Sequence, residues 1–153
     1  MTYIALLVIA LSGGVLVFDY VKLLKKRVLE YEALALFQEA VYTEIDLLHA
    51  PPSAIEKKLS QNGDARIRNC AALISSPERI FDFSIEKRDA DSIFEYFGEL
   101  GSGSYKSECE RAALLSSELN KKRREEGGRL DAKIMTCRLL YGSALVCALI
   151  LAA

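Results

Sequence analysis

The sequence predicts an all-α protein: a membrane-anchored bundle of about six helices with a transmembrane helix at each end. Three observations carry that expectation. All 20 lysines and arginines and all 21 aspartates and glutamates fall between Asp19 and Arg138, so an uncharged apolar segment flanks the polar middle on each side. Proline occurs only at 51, 52 and 77, and the middle is rich in Ala, Leu, Glu and Lys, which favour helix. No long stretch alternates apolar and polar residues as a half-buried strand would.

The first apolar segment, residues 1–18, makes a helix of about 27 Å against a hydrocarbon core of about 30 Å. Its bases follow it rather than precede it, and no A-x-A site stands before Asp19, so a retained anchor is expected rather than a cleaved signal peptide. The last segment, residues 139–153, is short on its own. Counted from Ile134 it reaches about 30 Å and takes in Arg138, whose stem can lie along the helix while its head seeks the interface. Each segment could instead be a core helix of a soluble domain, but a small domain seldom buries two of them. Tyr3, Tyr20 and Tyr141 fall near plausible interfaces. The resulting division is a span over residues 1–20, a cytoplasmic helical domain over 21–133 and a span over 134–153.

Charge sets the expected direction. Lys22, Lys25, Lys26 and Arg27 follow the first span, Arg129, Lys133 and Arg138 lead into the second, and no base lies on the far side of either. Basic flanks stay in the cytoplasm, which predicts a double-span hairpin at the cell membrane with the central domain cytoplasmic. Whether the last segment crosses fully or ends within the bilayer stays open.

The first helix should continue out of the membrane. Leu24, Val28, Tyr31, Leu34, Val41, Ile45 and Leu48 recur at steps of three, four or seven, a stripe over residues 22–48 that Pro51 and Pro52 terminate. Ser53-Ala-Ile-Glu56 has the spacing of a capping box and predicts a short second helix to about Ser60. After the Gln61-Asn-Gly turn, Asp64 should cap a third helix through about Ile74. Ser76-Pro77 supplies a cap and a first-position proline for a fourth, ending near Arg88. Asp89 or Asp91 caps a fifth to about Leu100. Gly101-Ser-Gly-Ser104 breaks the chain, and a sixth helix runs over residues 105–126 with Leu114, Leu115 and Leu119 on or near one face. Gly127-Gly128 should interrupt it ahead of the last span.

No catalytic constellation emerges. The single histidine, His49, is expected at a helix end, where a base meets the carbonyl dipoles; no second histidine or suitably spaced Cys or Asp completes a metal site. The chain has neither GxxxxGK[ST] nor GxSxG, and Gly101–Ser104 reads as a turn. A net charge of −1 argues against nucleic-acid binding. Cys70, Cys109, Cys137 and Cys147 form no CxxC pair, and Cys70 and Cys109 read as small apolar helix residues. The expectation is therefore a non-enzyme with no cofactor and no metal. Lys121, Lys122, Arg123 and Arg124 read either as a solvated helix end or as contacts to an acidic partner or lipid headgroups. Ala144, Ala148 and Ala152, and more briefly Ala10 with Gly14, form small-xxx-small ladders that allow close span packing.

The order of these parts resembles a family. Glu44-Ile45 and Pro51-Pro52 precede Ile55-Glu-Lys-Lys-Leu59, Phe97-Gly-Glu-Leu100-Gly101 follows, and a charged run from Leu119 to Lys133 leads into the final apolar segment. Over nearly its whole length the chain resembles the stage III sporulation protein AB family of endospore-forming bacteria. It departs from that pattern at Ser104 and Glu108, where the family tends to Asp and Gln, at the start of the last span, in a short segment between Gly63 and Ser92, and in lacking Trp. The resemblance implies a helical domain similar to the inner-membrane platform of type II secretion and type IV pilus systems. It also implies a non-enzymatic scaffold role in a sporulation channel of the mother-cell membrane, where a cytoplasmic ATPase and other membrane subunits would be partners. Homo-oligomers are compatible with it. The alternative is a membrane-anchored adaptor or a pilus or secretion assembly protein with no tie to sporulation.

Overall fold

The computed structural model describes the backbone of residues 2–152 and the side chains of residues 12–150. Within them the chain is helical, with no strand: α1 (Thr2–Leu48), α2 (Pro52–Ser60), α3 (Ala65–Cys70), α4 (Lys87–Gly98) and α5 (Tyr105–Ala152), with 3-10 turns at Ala71–Leu73 and Pro77–Asp82. At 47 and 48 residues, α1 and α5 are each about 70 Å long.

These two helices form an antiparallel pair. Gly13 lies against Tyr141, Gln38 Nε2 donates to the Ala112 carbonyl at 3.3 Å, and the Tyr105 hydroxyl donates to the Asp46 carbonyl at 2.8 Å, so sequence positions rise along one helix as they fall along the other. At one end of the pair, α2 to α4 pack around it as a head. Tyr31, Leu34, Phe37, Val41 and Ile45 present one face of α1, and Ala112, Leu115 and Leu119 one face of α5. Between them sit Ile55 and Leu59 of α2 and Ile93, Tyr96 and Phe97 of α4, with the Phe37 and Phe97 rings 5.5 Å apart.

The other end is built differently. None of residues 12–23 in α1 is buried, and none of residues 135–150 in α5 is buried, although both stretches are mostly apolar. The most apolar 18-residue window of α5 has a mean hydropathy of 1.5, and only 6% of it is buried inside the protein. By length and composition it can cross a membrane. Of the predicted first span, the side chains of residues 1–11, including Tyr3 and Ala10, lie outside the described residues.

The stripe on α1 runs as expected with two exceptions: Val28 is half-buried, and Leu48, 58% exposed, lies past the last residue that the head covers. Asp64 caps α3 as expected, accepting from the Arg66 N–H at 2.9 Å, but the helix tightens into a 3-10 turn from Ala71. Four other expectations fail. The capping box at Ser53 does not form: α2 starts on Pro52 and Glu56 accepts from the Ser75 hydroxyl instead. The predicted fourth and fifth helices become one 3-10 turn and α4, which begins at Lys87. The cause lies on α1: Arg27 Nε donates to the Ser84 carbonyl at 2.9 Å, Glu30 accepts the Ser84 N–H, and the Tyr31 hydroxyl accepts the Glu86 N–H. Backbone groups that would have carried a helix through residues 84–86 are satisfied by side chains, and the helix stops. The pair Gly127-Gly128 does not interrupt α5. Each glycine costs about 1 kcal/mol in a helix, which packing at buried Leu119 and Ile134 on either side outweighs. Leu114, finally, faces outward at 63% exposure while Leu115 and Leu119 enter the core.

Candidate functional site

Three places on this strut gather the chemistry: a polar latch beneath the head, the contact between the apolar shafts, and the tip where α1 ends and α5 begins.

The latch joins α1, α4 and α5. The buried Tyr31 hydroxyl donates to Asp89 Oδ2, and Lys122 Nζ reaches Glu86 at 2.8 Å and Asp89 at 3.3 Å. Burial, then the hydrogen bond to Asp89, pushes the Tyr31 phenol well above its ordinary range. The hydrogen bond from Lys122 holds the Glu86 carboxyl below its usual value, and the same bond raises the Lys122 ammonium above its own. Of the predicted basic cluster, then, Lys122 is turned inward onto the head, Arg123 is half-buried, and Lys121 and Arg124 are exposed. The cluster is not one surface.

The bases expected to orient the spans divide in a similar way. Lys22, Lys25 and Arg138 are exposed, Lys26 lies 3.5 Å from Glu30, Arg27 is committed to Ser84, and Lys133 pairs with the buried Glu126 at 3.0 Å.

Between the shafts, the small residues that matter are Gly13 and Gly14. A Cβ at Gly13 would stand 2.8 Å from Tyr141 Cε2, and one at Gly14 would stand 3.1 Å from the Tyr141 hydroxyl. The ring lies on bare backbone. Gly14 was expected at a close contact; Gly13 and Tyr141 were not. Ala144 is exposed and Ala148 half-buried. The unexpected partner was findable in principle, since two adjacent glycines in an apolar helix call for a large residue opposite.

At the tip, His49 closes α1 with φ +50°, a left-handed conformation usually left to glycine. Its ring stacks on Tyr105 at 4.0 Å and 13°, rather than meeting the helix carbonyls with the imidazole. The turn before α5 is equally tight. Gly101 has φ +87°, and a Cβ there would stand 2.8 Å from Pro52 Cγ. Together these turns leave a cavity of about 290 Å³ lined by residues of α1, α2 and the α4–α5 turn, with Glu108 of α5 in its wall. Glu108 is 6% exposed; Oε1 accepts the Gly103 N–H at 3.0 Å, and Oε2 is buried with no hydrogen-bond partner among the described residues. Sequence reading marked Glu108 only as a departure from the family pattern and assigned it no role, because an acid in the first turn of a helix is ordinary.

Cys70 is buried and Cys109 half-buried against the core, both as small apolar residues. Burial pushes the Cys70 thiol up to about 12, which makes it a poor nucleophile. No group of three His, Cys, Asp or Glu side chains among the described residues is placed to hold a metal.

The chain matches no protein-family model, no curated protein and no solved structure.

Proposed function

We propose that the protein is a non-enzymatic membrane platform, a scaffold subunit that inserts both apolar shafts in the bilayer as a hairpin and holds its head in the cytoplasm to dock an ATPase and other membrane subunits. One observation carries this reading: the antiparallel pair segregates its surface by position, with a packed, charged head at one end and exposed, unburied apolar helix at the other. A soluble protein would gain by burying that end. The bases that flank the shafts supply the direction. The resemblance to the stage III sporulation protein AB family supplies the apparatus, a sporulation channel of the mother-cell membrane.

Two measurements test it. Single cysteines placed at Lys25 and Lys121, in a chain whose own cysteines are replaced, should stay shielded from an impermeant thiol reagent in intact cells; labelling there reverses the topology. The full chain purified from native membranes should bring with it a nucleotide-hydrolysing partner encoded alongside, and its deletion should lower spore yield. Recovery of no ATPase together with unchanged spore yield ends the platform reading.

A further inference from the structure

Charge is sorted along the helix pair. Gly13 against Tyr141 and Gln38 against Ala112 set residues 19–30 of α1 beside residues 121–135 of α5, with Arg138 about one turn nearer the apolar end. The stretches 19–30 and 121–138 carry eleven bases and five acids, while the rest of the chain carries nine bases and sixteen acids. A positive root therefore lies between an acidic head and the apolar shafts, in a chain whose net charge is only −1. Several of the root's bases are already engaged. Lys122 serves Glu86 and Asp89, Lys26 serves Glu30, Lys133 serves the buried Glu126, and Arg27 donates to the Ser84 carbonyl. Lys22, Lys25, Arg129 and Arg138 are exposed and form no ion pair among the described residues. Asp19 and Asp131, exposed acids at the same level, pair with none of them.

Height selects the partner. Lys22 stands about 6 Å and Lys25 about 10 Å along α1 from Phe18, the last residue of the apolar segment, and Arg138 adjoins Leu139 directly. With the shafts inserted, the headgroup layer begins at those residues and is about 5–7 Å deep. Lys22 and Arg138 then lie inside it, and the long stem of Lys25 lets its ammonium reach it. Arg129, about 15 Å from Leu139, stays within the surface field, which persists for about 8 Å at physiological salt. A soluble acidic protein would have to reach these bases past the acidic head, which repels it, whereas a headgroup is already beside them. We propose that Lys22, Lys25 and Arg138, with Arg129 behind them, form a collar that binds the headgroups of anionic phospholipids. The collar rests on insertion of both shafts; it needs neither a sporulation role nor an ATPase. The same anionic surface repels the acidic head and holds it off the bilayer.

The full chain is reconstituted in phosphatidylcholine vesicles that hold a trace of spin-labelled phosphatidylglycerol or of spin-labelled phosphatidylcholine. Insertion is scored by resistance to alkaline extraction, and the motionally restricted fraction of each probe by electron spin resonance. The anionic probe should be preferred by about fivefold or more, the effect of one well-placed base at an anionic surface. Raising salt from about 0.01 to 1 M, which shortens the Debye length from about 30 to 3 Å, should remove most of that preference. The triple variant Lys22→Gln, Lys25→Gln, Arg138→Gln should bring the ratio close to one with unchanged helix content. Lys57→Gln, Arg88→Gln, Lys106→Gln removes as much charge from exposed positions on the head and the tip and should leave the preference intact. Soluble glycerol phosphate in excess should not displace the lipid, whose headgroup the bilayer holds at high local concentration. Equal restriction of both probes by an inserted chain overturns the collar and leaves the hairpin standing, as does a preference indifferent to salt or lost equally in the two triple variants. Erasure of the preference by glycerol phosphate or by polyglutamate overturns the lipid as occupant, in favour of a soluble phosphate or an acidic protein. A chain that does not insert ends the hairpin reading and the collar with it.

Discussion

Replacing Val146 by arginine decides whether the exposed end of α5 lies in lipid. Val146 is 56% exposed near the middle of the proposed second span. At a bilayer centre, valine favours insertion by about 0.3–0.6 kcal/mol and arginine opposes it by about 2.5–3.5, so the exchange costs about 3–4 kcal/mol. That is a shift of a few hundredfold in the insertion equilibrium. Snorkelling along the two turns that remain to the end of α5 brings the cost toward the lower figure. The control is Leu114→Arg on the same helix: Leu114 is 63% exposed but sits beside the head, where a surface substitution changes stability by about 0.5 kcal/mol at most. The assay is translocon-mediated insertion, with a glycosylation acceptor placed beyond the last apolar residue to score crossing. Val146→Arg should move most chains to the uncrossed form while Leu114→Arg leaves the crossed fraction unchanged. If the two arginines behave alike and both are tolerated, the apolar end of α5 faces something other than lipid, and the hairpin reading fails.

The latch makes a graded prediction: Asp89→Ala should cost about 1–3 kcal/mol by stranding the buried Tyr31 hydroxyl, and Asp89→Asn, which still accepts, distinctly less; equal losses in urea melts would show the hydroxyl has another partner. Leu119→Asp, at a site 3% exposed, should cost several kcal/mol or prevent folding, whereas Lys122→Ala should cost about 1 kcal/mol because its two pairs are partly solvated; comparable losses would mean that the latch, not the core, holds α5. Glu86 is held below its ordinary 4.5 by Lys122, so its contribution is present above that value and fades as pH falls through the depressed folded value; acid unfolding curves of wild type and Lys122→Ala should converge there, and parallel curves would refute the linkage.

The parts legible in the sequence were those set by local rules. Charge confinement marked the two apolar ends, the three-four spacing picked out Tyr31, Leu34, Val41 and Ile45 as core, and Pro51-Pro52 and Asp64 set boundaries that hold. What misled was local punctuation overruled at a distance. Ser53 and Glu56 have capping-box spacing, but proline already occupies the first turn and Ser75 takes the glutamate. Residues 84–86 have no breaker of their own; they leave the helix because Arg27, Glu30 and Tyr31, more than fifty residues earlier, bond their backbone. Gly127-Gly128 is a breaker that breaks nothing, since the packing that decides α5 lies on either side. Glu108 shows the same gap at the tip: its type and position are ordinary, and only the fold reveals that it lines a cavity and that one of its oxygens is buried with no hydrogen-bond partner among the described residues.

The two ends of the molecule are held by one register. A slip of one helical turn between α1 and α5 moves them past each other by about 5.4 Å. That slip would slide Tyr141 off Gly13 and Gly14 onto residues with side chains, strand the fully buried Gln38 away from the Ala112 carbonyl, and separate Tyr105 from Asp46. Each of the three contacts tolerates little displacement for a different reason: a missing Cβ, a buried amide and a hydroxyl at a helix end. Together they span most of the pair, so a displacement imposed at the tip has no soft place to be absorbed before it reaches the shafts. A stiff strut of this kind suits a subunit whose proposed partner works at one end while its anchors sit at the other. It also explains why the shafts use glycine against tyrosine rather than the interchangeable alanines farther along α5: only the former pins the register.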